Sequence, residues 1–231
     1  SITLATTQEA AKTGTPHVVD VGVADQIMER GLSNVFRFGP GHRRIATFAA
    51  DNLAAINAAA GSPAKTAMIV HEESAFGTAT AAILNERLPA AGIEVLETIA
   101  HPNPQRDFTN IALRIRGARP DVVIPSNYYN ENALLMRTLR QQRIEVMGLC
   151  NVLGGAASSY RFVQELPEIA EGVIDCNHWF DPNDAGALAR KAAAEAKGLF
   201  YTYEVYLAYN AVALLADAIE RAGTTEAEAV N

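Results

Sequence analysis

The chain of 231 residues carries only two cysteines, Cys150 and Cys176. That is too few for a disulfide framework. Neither belongs to a C-x-x-C pair, so zinc and thioredoxin-type chemistry have no support. Each sits in or at the end of an apolar run, where a buried free thiol is expected; a bridge between the two stays open. No apolar run approaches the ~18–20 residues of a spanning helix. The longest are Ala-rich and broken by Asn, Asp, Glu or Arg, so a soluble chain is expected. Lysine is scarce (Lys12, Lys65, Lys191 and Lys197), and the 19 basic residues are scattered through a chain of net charge −7. There is no basic stripe for nucleic acid and no polybasic segment for anionic lipid. Residue 1 opens into Ser-Ile-Thr-Leu with no visible leader, and a removed one would leave no trace. What is present is a 49% hydrophobic composition, ample for a packed core. The length allows one large domain or two small ones.

Seven short runs are β-branched or continuously apolar: His17–Val21, Val35–Phe38, Thr66–His71, Glu94–Ile99, Asp121–Pro125, Glu145–Cys150 and Gly172–Cys176. Such runs suit strands covered on both faces. Helical spacing lies between most of them. Ile45, Phe48, Leu53 and Ile56 share a face of Arg43–Ala60, and Ala75–Ala91 stops at Gly92, a good C-terminal cap. Asp107–Arg116 and Glu131–Gln141 follow the same pattern. Tyr203–Ala222 is the longest, with Val205, Tyr209, Val212, Ala216 and Ile219 in register. Regular β-α alternation predicts an α/β fold with a parallel sheet flanked by helices. Ligands then bind beyond the carboxyl ends of strands.

Catalytic motifs are missing. No G-x-x-x-x-G-K-[ST] or G-x-S-x-G occurs, and neither Gly39-Pro40-Gly41 nor Gly154-Gly155 completes a dinucleotide fingerprint. Cys150 and His178 can be drawn as a thiol–imidazole pair, but a buried thiol and an ordinary loop histidine explain them more simply. His71-Glu72 lacks a second histidine four residues on, and the five histidines are dispersed. No catalytic residue, metal or cofactor is expected.

The segments after the strands hold Phe76, Asn127, Tyr128, Tyr129, Asn151 and Trp179, with few charges. Aromatic walls with a few orienting polar groups are the make-up of a binding cleft. Each has a plainer alternative. Phe76 can be core and Trp179 can pack under a loop. Tyr128 and Tyr129 point to opposite sides of an extended chain, so one of them at most faces a cleft.

Eight short pieces in order carry a family resemblance: Ala10–Val19 with Met28-Glu29-Arg30-Gly31 and Val35-Phe36-Arg37-Phe38; His71-Glu72-Glu73-Ser74-Ala75-Phe76-Gly77; Arg106-Asp107-Phe108-Thr109; Arg119-Pro120-Asp121-Val122-Val123; Ala170-Glu171-Gly172-Val173; and Tyr209-Asn210-Ala211-Val212. The chain resembles the periplasmic solute-binding proteins of branched-chain amino acid (leucine–isoleucine–valine) type ABC transporters. The resemblance implies a two-lobe type I periplasmic binding fold with residues 1–40 and 180–231 in an incomplete first lobe and 41–179 in a nearly complete second lobe. It implies further family segments before residue 1 and beyond residue 231. Crossings between lobes are expected near Phe38–Gly41 and Trp179–Asn183.

The resemblance also carries over ligand contacts. Ser1 is what remains of a turn that binds a carboxylate at a helix N-terminus. Val21, Gly22 and Val23 stand where the family offers a carbonyl and a hydroxyl, and the hydroxyl is missing. Phe76 and Tyr128 fall on the second-lobe aromatics. The family's acid for a ligand ammonium falls at Cys150 or Asn151. An ammonium desolvated without a carboxylate costs several kcal/mol, or ~10²–10³-fold in affinity. An aromatic carboxylate or similar apolar acid is therefore favoured over an α-amino acid. An amide, a urea-like solute and a branched-chain amino acid remain alternatives. The implied role is a monomeric, periplasmic importer component that binds its small-molecule ligand by hinge closure and docks on ABC transporter membrane subunits. A regulatory sensor of the same fold and an unrelated doubly wound enzyme are the competing expectations.

Overall fold

The structure is a computed structural model that describes residues 2–231. The chain divides into two units. One takes the described residues up to Gly41 together with His178–Asn231; the other is His42–Asn177. The chain therefore passes between them twice, at Gly41/His42 and at Asn177/His178.

The first unit begins with α1 (Ile2–Thr13) and β1 (His17–Val19), followed by α2 (Gln26–Glu29) and β2 (Val35–Arg37). The two strands pair in parallel, from His17↔Val35 to Val19↔Arg37. Val19, Ala24, Ile27 and Val35 form a small core, joined by Leu4 and Leu32. Two arginines tie down what the short strands cannot. The Arg30 guanidinium donates to the Leu4 carbonyl at 3.1 Å and to the buried Thr7 hydroxyl, fixing α1. Arg37 donates to the carbonyls of Ala24 (2.9 Å) and Val23 (3.3 Å), fixing the loop after β1.

After the second crossing the same unit adds three helices, which are numbered below in chain order after those of the other unit. The His42–Asn177 unit holds α3 (His42–Ala59), β3 (Thr66–Glu72), α4 (Ala75–Ala90), β4 (Glu94–His101), α5 (Thr109–Ala118), β5 (Val122–Ser126) and α6 (Tyr129–Gln141). It closes with β6 (Gly148–Val152), α7 (Tyr160–Glu165), α8 (Pro167–Ala170) and β7 (Val173–Cys176). Its strands form one sheet in the order β4-β3-β5-β6-β7, every pair parallel. Successive residues face opposite ways, so Met68 and Val70 pack with Phe108, which precedes α5, and with Ile111, Ile115, Leu135 and Leu139 of α5 and α6. On the other face α4 lies along β3 and β4, and α3 along β6 and β7. The returning chain then forms α9 (Ala185–Glu195), α10 (Tyr203–Ala222) and α11 (Ala227–Val230) in the first unit. There Phe180, Ala187 and Tyr201 make a second small core, and α10 packs along β1.

The predicted α/β alternation holds, and all seven expected strands are present with shifted ends. The largest shift is in β6, which starts at Gly148 instead of Glu145 and runs to Val152. Both Met147 and Gly148 donate their N–H groups to the Asp121 carbonyl, so the chain joins the ladder only there. Two predicted helix faces are corrected. In α3 the buried side is Ile45, Ala46, Ala49, Ala50 and Leu53, while Phe48 and Ile56 are exposed. In α10 the buried side is Tyr203, Leu207 and Ala211, and the expected Val205, Tyr209 and Val212 face outward. Small alanines let a helix approach its neighbour closely, and a pattern weighted to large side chains passes over them.

Candidate functional site

In the five-stranded sheet β3 is followed on one side by β4, while β5 lies on the other, so the chain direction switches between β3 and β5. A crevice at the carboxyl ends of these two strands is where open α/β sheets bind ligands. The loop after β3 is built around Glu72, which is fully buried. Its carboxylate accepts from the Ser74 N–H (2.8 Å), the Ser74 hydroxyl (2.6 Å) and the Gly77 N–H (2.6 Å). A buried carboxylate with three donors at a helix N-terminus is well compensated. The turn is so tight that a Cβ on Gly77 would come within 2.1 Å of the Glu72 carbonyl oxygen, which only glycine tolerates.

This framework presents Phe76. Its ring stacks on Tyr128 with centroids 5.3 Å apart and planes 29° from parallel, and the His42 ring lies 5.7 Å from that of Phe76. Tyr128 is the cap residue of α6 and is 43% exposed, so the pair forms a wall with an open face. Burial, followed by the negative charge of Glu72, raises the Tyr128 phenol above its ordinary pKa. It is a neutral hydrogen-bond donor at physiological pH. Tyr129 turns away, its hydroxyl donating to Glu165 at 2.8 Å under the Arg161 guanidinium. Of the two tyrosines, Tyr128 is thus the one beside Phe76.

Because β6 extends to Val152, Asn151 lies inside the strand instead of beyond it. Cys150 and Asn151 consequently point to opposite faces of the sheet. The Cys150 thiol is 2% exposed, and burial pushes its pKa up to about 12. Such a thiol is not an activated nucleophile, which removes the basis of the thiol–imidazole reading. Cys176 is also free, its thiol raised to about 11 by burial. Asn151 is fully buried beside Asp175 of β7, its register partner. Burial pushes the Asp175 carboxyl up to about 6, opposed by the Ser158 hydroxyl, which donates to it, and by the Asn151 amide.

The other expected residues belong to the first unit. Ser1 lies outside the described residues. Val21, Gly22 and Val23 form the loop after β1; the Val21 N–H donates to the Asp20 carboxylate at 2.7 Å, and Gly22 lies against Thr3 of α1. Trp179 is 49% exposed and tilts against Phe180 at 4.9 Å. His178 has its Nε2 3.3 Å from the Pro40 carbonyl oxygen and stacks on Tyr203; burial holds its imidazole below the ordinary pKa.

Sequence reasoning named Asn127 and Asn151 but missed two buried polar residues of this unit, His101 and Asn132. The His101 ring bridges the Pro102 carbonyl (2.8 Å) and the Asn127 side-chain amide (2.9 Å). Asn132, in the first turns of α6, is fully buried. The one legible signal was an acid, Asp175, inside an apolar strand.

The sequence profile of the periplasmic binding protein family matches residues 1–231. A Leu/Ile/Val-binding protein homolog 8 of Brucella abortus is 25% identical over 178 residues, which are 76% of this chain and 44% of that protein. The chain thus spans less than half the length of the curated relatives it matches. Among solved structures, the leucine-binding protein LivK of Thermotoga maritima superposes with a TM-score of 0.84 at 21% identity, over 99% of this chain and 63% of the other. A solute-binding protein of an ABC transporter from Rhodopseudomonas palustris BisB5, in complex with 3,4-dihydroxybenzoic acid, gives 0.84 at 18% identity, over 99% and 62%. At these identities the likeness is one of fold, the two-lobe type I architecture with parallel sheets flanked by helices. With its strand order, its parallel ladders and a profile match over the whole length, the chain belongs to the periplasmic binding protein family.

Proposed function

We propose that the chain is the solute-binding part of an ABC importer acting in the periplasm, and that its ligand is an aromatic carboxylate or a similar apolar acid. The observation that carries the ligand class is the stacked Phe76–Tyr128 wall at the sheet's carboxyl end, with a neutral amide, Asn151, where the resemblance puts an acid. An aromatic ring stacks against such a wall. The aromatic acid bound by the Rhodopseudomonas relative supports the same choice. Binding proceeds by hinge closure without covalent chemistry, and the membrane subunits of the importer read the closed form.

A branched-chain amino acid is the second reading. Asp175, a largely buried carboxyl beside Asn151, is the observation that favours it, together with the leucine-binding Thermotoga relative. Thermal-shift screening of the full-length protein against benzoates, small amides and aliphatic amino acids separates the two. A rise in Tm with benzoates that is lost in Phe76→Ala and Tyr128→Ala supports the first reading. A rise with leucine alone overturns it.

A further inference from the structure

The aromatic wall is held from below by one carboxylate. Glu72 is the last residue of β3 and is fully buried. Its three partners are all donors: the Ser74 hydroxyl and the Gly77 N–H on Oε1, and the Ser74 N–H on Oε2. A carboxylate only accepts, so it meets all three at once; an amide of the same shape does not. Ser74 and Gly77 stand on either side of Phe76 in the chain, so these bonds fix the backbone that carries its ring.

The Ser74 hydroxyl extends the arrangement. Its single proton goes to Glu72, which leaves its oxygen to accept, and the Phe76 N–H donates to it at 3.2 Å. The same side chain interacts with the Tyr128 hydroxyl. Through one serine, Glu72 thus acts on both residues whose rings stack. The turn has a separate tie to the sheet, the Glu73 N–H donating to the His101 carbonyl at 2.9 Å. That tie does not involve the Glu72 side chain.

We propose that Glu72 is a positioning residue of the binding site: it sets the Phe76 ring against Tyr128 before the ligand arrives, so its loss is felt in affinity through Phe76. The inference rests on the reading of this wall as the surface the ligand meets. A surface already in place spares the ligand the entropy of ordering it. Ring stacking also depends on offset and angle, so a displaced Phe76 ring is a poorer partner.

A carboxylate that merely capped α4 would matter to stability alone. Asp121 separates the two roles. It precedes β5 at the opposite end of the sheet, and it too accepts three bonds, from the Lys65 N–H (2.7 Å), the Thr66 N–H (2.9 Å) and the Thr66 hydroxyl (2.9 Å).

Calorimetric titration of the full-length protein with 3,4-dihydroxybenzoate compares the wild type with Glu72→Gln and Asp121→Asn. Glu72→Gln keeps the side chain's shape but turns an NH2 group toward at least one donor. It weakens binding about tenfold, while Asp121→Asn leaves affinity unchanged. In a Phe76→Ala background Glu72→Gln adds less than about twofold, because its effect runs through that ring. Circular dichroism checks folding; if Glu72→Gln does not fold, Ser74→Ala, which removes one of the three donors, carries the same comparison. Full affinity in the variant, an equal loss in Asp121→Asn, or an undiminished loss in the Phe76→Ala background overturns the proposal. If the wild type binds leucine and not the aromatic acid, the aromatic-acid reading alone fails, and the same comparison with leucine tests Glu72. Binding of neither overturns both.

Discussion

Asp175 is the residue whose chemistry departs most from its ordinary behaviour without a charged partner to explain it. Burial raises its pKa to about 6, against an ordinary value of 3.8, with only the Ser158 hydroxyl and the Asn151 amide opposing. The folded protein therefore holds this proton more tightly than the unfolded chain. The stability linked to that proton is complete below the unfolded value and is lost as pH rises through the folded one. At pH 8 an ionised Asp175 burdens the fold. Asp175→Asn removes the charge and keeps the shape, so the variant is more stable than the wild type by roughly 1–2 kcal/mol at pH 8, a shift of this size being discounted for partial exposure. By pH 4 the difference disappears. Urea denaturation at pH 4, 6 and 8 reads this directly, and a gap that ignores pH would refute it.

At the scale of elements, α10 makes the clearest claim. Its buried line is Tyr203, Leu207 and Ala211, spaced four apart, while Val212 is 69% exposed. In this chain Leu207→Ala costs about 2–4 kcal/mol through the cavity it leaves. Val212→Asp stays within about 0.5 kcal/mol. Chemical denaturation of the two variants distinguishes this helix face from the one its sequence suggests. That contrast shows where sequence reading stops. Strands were legible because Thr66–His71 and Asp121–Pro125 are apolar on both faces, as a covered parallel sheet demands. Helix orientation was not, because Ala46, Ala49 and Ala50 bury as effectively as larger residues and carry little weight in a pattern. Helix α9 went unseen for the same reason, its one large apolar residue, Leu188, being 45% exposed. Phe76 and Tyr128 were legible from their place after strands. Asn132 was not, since a buried amide in a helix has the same local signature as a solvated one. Cys150 and Asn151 could be told apart only once the end of β6 was known, because one residue of shift reverses the face each presents.

At the scale of the whole molecule, the two units, the two chain crossings and the match to the periplasmic binding protein family form one account. The family places the protein outside the cytoplasm, and no described helix is long and apolar enough to cross a membrane. The account's central claim is the nature of the bound solute. Calorimetric titration of the full-length protein with 3,4-dihydroxybenzoate and with leucine, in the wild type and in Phe76→Ala, tests it most directly. The account predicts saturable binding of the aromatic acid, weakened at least about tenfold in Phe76→Ala by loss of the stacked ring, and no heat of binding with leucine. Tight leucine binding, with the aromatic acid inert, would contradict it.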